Sequence, residues 1–126
     1  MISRTHNPTL ITLLIQAGLD VDYVDKNKIG ILHMTAKSGH SDIVKIMIDD
    51  GATIDLQDSK GKTPLMHAIS KQKFEVVTLL AKEGADVNLK AKDGSGPFNI
   101  AAKAGYFEIV KLLLSSGANF DSQDNN

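Results

Sequence analysis

The sequence predicts an all-α repeat solenoid, built as a stack of helix-turn-helix units with projecting β-hairpin-like turns. Three observations carry this. Glycines recur at Gly18, Gly51, Gly84 and Gly117, each 33 residues after the last, and a fixed period of that length marks a repeat architecture. The segments after them match: Leu19-Asp20-Val21-Asp22, Ala52-Thr53-Ile54-Asp55, Ala85-Asp86-Val87-Asn88 and Ala118-Asn119-Phe120-Asp121. So do the apolar runs before them, Leu10 to Ile15, Ile43 to Ile48, Val76 to Ala81 and Ile109 to Leu114.

Within a unit the apolar runs read as two brief helices, because the punctuation around them is helical. The first helix is best marked by Thr63-Pro64. The threonine hydroxyl caps the helix, and proline takes the first helical position, where a missing N–H is harmless. Gly96-Pro97 repeats half of that device. The second helix opens at Ser41-Asp42 in one unit and at Asn7-Pro8 in another, and it closes before the recurring glycine, which suits a left-handed position. Between units, stretches such as Asp55 to Lys62 alternate and then turn through Asp58 and Gly61, which predicts a short arm folded back on itself. Helices of two or three turns are marginal alone, so the units must bury their apolar faces on one another. The register gives one domain over 1–126, with a partial unit over 1–24 and full units over 25–57, 58–90 and 91–123.

Thr63-Pro64-Leu65-Met66-His67-Ala68, Ala101-Ala102-Lys103-Ala104-Gly105 and Gly84-Ala85-Asp86-Val87-Asn88 together resemble the ankyrin repeat, whose signature begins Thr-Pro-Leu-His-x-Ala. The resemblance covers nearly the whole chain. Two departures stand out. Gly30-Ile31-Leu32-His33 replaces the threonine-proline start, leaving that helix without a hydroxyl cap. Gln72 occupies the place of Gly39 and Gly105, which puts a non-glycine residue in a left-handed turn and makes that turn a place for local opening. Met1 aligns with Met34, so the first unit lacks a projecting turn, and Ile109, Leu112, Leu113 and Leu114 show no polar capping pattern of the kind solenoid ends need. The expectation is a segment of a longer repeat protein, or an end covered by a partner or by end-to-end self-association.

Composition narrows the function. Among 126 residues, 42% are hydrophobic and 23% charged, as in globular proteins. Fourteen Lys plus Arg against 15 Asp plus Glu leave a net charge of -1, so no global field draws nucleic acid or anionic lipid. The chain contains no cysteine, which excludes disulfides and thiolate chemistry and fits a reducing compartment. No secretory leader is apparent at Met1 to Pro8, and no apolar run approaches a membrane span. An intracellular protein, cytoplasmic or nuclear, is expected.

No catalytic, cofactor-binding or metal-binding residues are assigned. His6, His33, His40 and His67 lack ligand spacing, and His33 and His40 sit where histidine serves turn hydrogen bonds in the resembled family. Ser115 and Ser116 lack a nucleophile elbow, and Gly94-Ser95-Gly96 lacks the lysine of a phosphate loop. Asp49-Asp50 reads as a solvated helix end.

What the resemblance implies is a protein-binding module whose partner lies on a concave surface of turns and first helices. Carried onto this register, the partner-binding residues are Lys26, Asn27, Ile29, Ser59, Lys60, Lys62, Lys92 and Ser95 in the turns, and Lys37, Lys71 and Lys103 in the first helices. Asp93 belongs to the same turns. The lysines gather on this side, whereas Asp42, Asp49, Asp50, Glu75, Glu83 and Glu108 map to second helices. The partner expectation is therefore another protein presenting an acidic segment; the plain alternative is lysine serving as a solvated turn residue. Nucleic-acid binding is disfavoured, because Arg4 is the only arginine and base reading favours arginine and aromatics. Recruitment of substrate for a catalytic domain in a larger protein is a further reading. Asn88 and Asn119 hold the family's turn asparagine, for which the resemblance implies hydroxylation in some members.

Overall fold

The computed structural model describes residues 8–118. Seven helices lie among them: α1 (Pro8–Gln16), α2 (Ile31–Ser38), α3 (Ser41–Asp49), α4 (Pro64–Ser70), α5 (Phe74–Lys82), α6 (Pro97–Ala104) and α7 (Phe107–Ser115). The first helices α2, α4 and α6 pack side by side as one layer, and the second helices α1, α3, α5 and α7 as another, each unit's pair packed together. His6, Asn7, Asn119 and the chain ends lie outside the described residues, so the capping expectation is carried here only by α7. In α7, Ile109 and Leu113 are buried and Leu112 is partly so, which leaves Leu114 as the exposed member of the four.

The core runs between the layers in columns set by the 33-residue period. Ile43, Val76 and Ile109 form one, Met47, Leu80 and Leu113 another, and Ala52, Ala85 and Ala118 a third, all buried. Small alanines at the last column let each segment after the recurring glycine lie close to its neighbour. The four recurring glycines have φ of +104°, +94°, +97° and +95°, the left-handed conformation that ends each second helix.

The helix starts follow the residues that open them. Thr63 Oγ1 accepts from the Met66 N–H at 3.2 Å, and Pro64 opens α4. At α2 the missing cap is replaced from within the helix: His33 Nδ1 accepts from the Gly30 N–H at 3.0 Å. Gln72 adopts φ +57°, as its register with Gly39 and Gly105 requires, and Lys28 adopts φ +61° in register with Gly61 and Gly94.

The projecting turns are tight and mutually tied. The Asp25, Asp58 and Ala91 N–H groups donate to the Ile29, Lys62 and Ser95 carbonyls at 3.0, 2.9 and 2.8 Å, closing each turn. Successive turns are joined by Ser59 N–H to the Asn27 carbonyl at 2.9 Å and Lys92 N–H to the Lys60 carbonyl at 3.0 Å. The arms are hairpin-like in this sense, with one isolated antiparallel bridge, Val24 to Gly30, and no extended strand among the described residues.

Candidate functional site

Each turn is shaped by a carboxylate that gathers amide donors. Asp25 Oδ1 accepts from the Asn27 and Ile29 N–H groups at 2.8 and 2.9 Å, and Asp58 Oδ1 from Lys60 and Lys62 at 3.0 and 2.9 Å. The third turn has Ala91 at that position, and Asp93 takes over by accepting from the Ser95 amide and hydroxyl. The backbone bends so sharply that the side chains at the tips project beside one another.

Two adjacent pockets result. One, of about 390 Å³, is lined by Asn27, Ile29, Asp58, Lys60, Lys62 and His67, with Ser59 at its rim. The other, of about 350 Å³, is lined by Ser59, Lys60, Lys62, Lys92 and Asp93. The fold thus brings together Asn27, Ile29, Ser59, Lys60, Lys62 and Lys92 from three successive turns. Lys26 is exposed in the first turn, outside these pockets, and Ser95 is half-buried with its hydroxyl committed to Asp93. Lys37, Lys71 and Lys103 are exposed at the far ends of the first helices, about 10–12 Å from the turns along helices of seven or eight residues. They extend the basic face but do not join the pockets.

Asp58 and His67, which line the first pocket, belong with the buried His33 to a cluster that residue spacing did not reveal. His67 Nε2 lies 2.9 Å from Asp58 Oδ2, and the rings of His33 and His67 meet edge to face with centroids 5.3 Å apart. One ligating atom from each of His33, Asp58 and His67 falls within 4.8 Å of the others. Their roles are nevertheless fixed by hydrogen bonds. Because His33 Nδ1 accepts from Gly30, its Nε2 carries the proton and faces the Leu56 and Lys62 carbonyls at 2.8 and 3.1 Å. Neither ring nitrogen retains a lone pair for a cation, and the ring instead ties α2 to the next unit's arm. Burial pushes the His33 pKa down, the neighbouring His67 adds to this, and the two carbonyls and Asp58 oppose it. Burial alone would raise the Asp58 pKa, but the hydrogen bonds from His67 and from the Lys62 and Lys60 amides outweigh it and hold the carboxyl below its ordinary range. Asp93 is also held low, by its hydrogen bonds to Ser95 and, more weakly, by the charge of Lys62.

The sequence signals for Asp58 and His67 differ. Asp58 stands in register with Asp25, so its turn-forming role is readable. His67 is one residue beyond the register of His33, where Met66 stands, and its approach to Asp58 depends on α4 folding back against its own turn.

This architecture agrees with the family comparison. A family model described as ankyrin repeats (3 copies) matches residues 1–91, and one described as ankyrin repeat matches residues 93–125. The chain belongs to the ankyrin repeat family, whose members are generally protein–protein interaction modules. No match is found among curated proteins. No helix among the described residues is long and apolar enough to cross a membrane.

Proposed function

We propose that this chain holds an acidic segment of a partner protein on a concave face formed by its projecting turns and first helices. What supports the reading most is the convergence of Lys60, Lys62 and Lys92 on two adjoining pockets. The inter-turn backbone bonds hold these tips in register, so little ordering accompanies binding, and preorganisation of that kind favours affinity. Lysines at the rim steer an acidic segment electrostatically. Asp93 beside Lys62 interrupts the positive field and favours a partner whose charge is patterned over one that is uniformly anionic.

The test is affinity capture with the wild-type chain and with a Lys60→Glu, Lys62→Glu, Lys71→Glu variant, followed by titration of each captured protein. A partner weakened about tenfold or more by the reversal, and weakened by added salt, is the expected result. Undiminished affinity would remove the lysine face from the binding site.

A further inference from the structure

The smaller of the two pockets between the turn tips, about 350 Å³, takes its charge from two successive units. Lys60 and Lys62 come from one tip, Lys92 and Asp93 from the next, and the exposed Ser59 completes the lining. Backbone contacts bring the three lysines together. The Lys92 N–H donates to the Lys60 carbonyl at 3.0 Å. Between Lys60 and Lys62 stands Gly61, and the Lys92 stem lies so close to it that a Cβ there would fall 2.8 Å from the Lys92 nitrogen and 3.2 Å from Lys92 Cγ. Gly61 also holds φ +78°, a conformation that glycine adopts without cost. Lys92 is thus seated against the gap between the other two lysines.

The charge of this pocket selects its ligand. Three lysines against Asp93 leave it two positive charges. Asp93 is itself turned to the Ser95 amide and hydroxyl. Asp58, behind the first of these tips, is only 6% exposed at its side chain and is occupied by the Lys60 and Lys62 amides and by His67. A carboxylate brings one negative charge and leaves half of that field unmatched. A phosphate monoester brings nearly two, with three strong acceptor oxygens for the three lysines, and the Ser59 hydroxyl is a further donor. Lysine binds phosphate well as a point charge. The adjoining pocket of about 390 Å³ shares Ser59, Lys60 and Lys62 and adds Asn27, Ile29 and His67, which gives the residues flanking a phosphorylated side chain a place to lie. That continuity favours a phosphate carried on a peptide over one on a lipid headgroup.

We propose that the Ser59–Lys60–Lys62–Lys92 pocket receives a phosphoserine or phosphothreonine of the partner segment. The proposal rests on the acidic-partner reading and sharpens it, because the charge that seats the segment is then added by phosphorylation and binding becomes conditional on it.

The test uses the whole chain and peptide libraries with randomised flanks around a central phosphoserine, glutamate or serine, the best binders being resynthesised with each of the three. The phosphoserine forms should bind about tenfold or more tightly than the glutamate forms, and the serine forms most weakly. Amide shifts should centre on Ser59 to Lys62 and on Lys92. Lys60→Gln with Lys92→Gln should bring the phosphoserine-to-glutamate ratio to about one. Lys82→Gln with Lys111→Gln, which removes as much charge from the second helices, should leave the ratio intact. Asp93→Asn, which keeps an acceptor for Ser95, should raise it. The ratio should also shrink below about pH 6, where the phosphate loses its second charge while glutamate stays ionised. Because both forms meet the same protein, titration of His33 and His67 cancels from it. Circular dichroism and melting establish that each variant is folded. Equal binding of phosphoserine and glutamate forms at the tips would overturn the phosphate site and leave the acidic-partner reading standing, whereas no binding of either form there would remove both. Lysine-dependent binding of vesicles carrying a phosphoinositide monophosphate, with none of the phosphopeptides, would overturn the assignment to a peptide.

Discussion

His33 serves two structural roles with one ring, capping the start of α2 through Nδ1 and reaching the next unit's arm through Nε2. This arrangement needs the neutral imidazole, which gives stability a defined pH dependence. Above the ordinary imidazole pKa of 6.5 the folded and unfolded chains both hold the ring neutral, so it contributes no slope. As pH falls below that value, the unfolded chain takes up a proton that the folded chain resists, and stability declines until the lowered folded pKa is reached. Asp58 adds a separate loss at lower pH. Its depressed pKa contributes stability that is present above the ordinary value of 3.8 and lost as pH falls through the folded value. Urea midpoints measured across pH should therefore show the higher decline flattened in His33→Met, which installs the residue type that Met66 supplies at the same register position, and the lower one flattened in Asp58→Asn. Unchanged slopes in both would contradict these roles. At two other positions the backbone itself is strained. Gln72→Gly and Lys28→Gly each remove an L-residue from the left-handed region and should raise stability by about 0.5–1 kcal/mol in urea unfolding. Gln72 was legible from its alignment with Gly39 and Gly105; Lys28 has the same kind of alignment, with Gly61 and Gly94, but reads first as one more surface charge.

Among the elements, the helices most readable in the sequence are those whose ends carry their own chemistry. Thr63-Pro64 predicts the start of α4, and the observed hydroxyl cap follows. Removing it in Thr63→Ala should cost about 1 kcal/mol of stability by thermal or urea unfolding. The opening of α2 was readable only as a deficiency, because the substitute cap comes from a side chain three residues inside the helix. The second helices depend less on caps than on burial. Leu80 is fully buried in α5, between the layers and in column with Met47 and Leu113. Leu80→Ala should therefore cost about 2–5 kcal/mol, several times the cap, and a loss no larger than that of Thr63→Ala would show that α5 contributes little to holding the stack. The tips resist prediction for a different reason. Their intra-turn hydrogen bonds follow from local Asp and Gly residues, but the Asn27–Ser59 and Lys60–Lys92 backbone links exist only when neighbouring units stack.

For the whole molecule, the 33-residue period makes the fold legible because one repeated choice at each core position fixes the packing of every unit. The surface lacks that redundancy: positions facing outward vary freely, and their grouping emerges from stacking. Hence register alone names the lysines as turn or first-helix residues, while the division between pocket-lining Lys60, Lys62 and Lys92 and the distant Lys37, Lys71 and Lys103 required the structure. The exposure of Phe74 and Phe107 was hidden for the same reason, since at the start of an apolar run they read as core residues. If the turn tips and first helices form the binding face for an acidic protein segment, amide chemical-shift mapping of the captured partner on the isotopically labelled chain tests it most directly. Perturbations should concentrate at Lys26 to Gly30, Asp58 to Thr63 and Lys92 to Gly96, and fade as salt rises; a footprint confined to α3, α5 and α7, or one indifferent to salt, would contradict it.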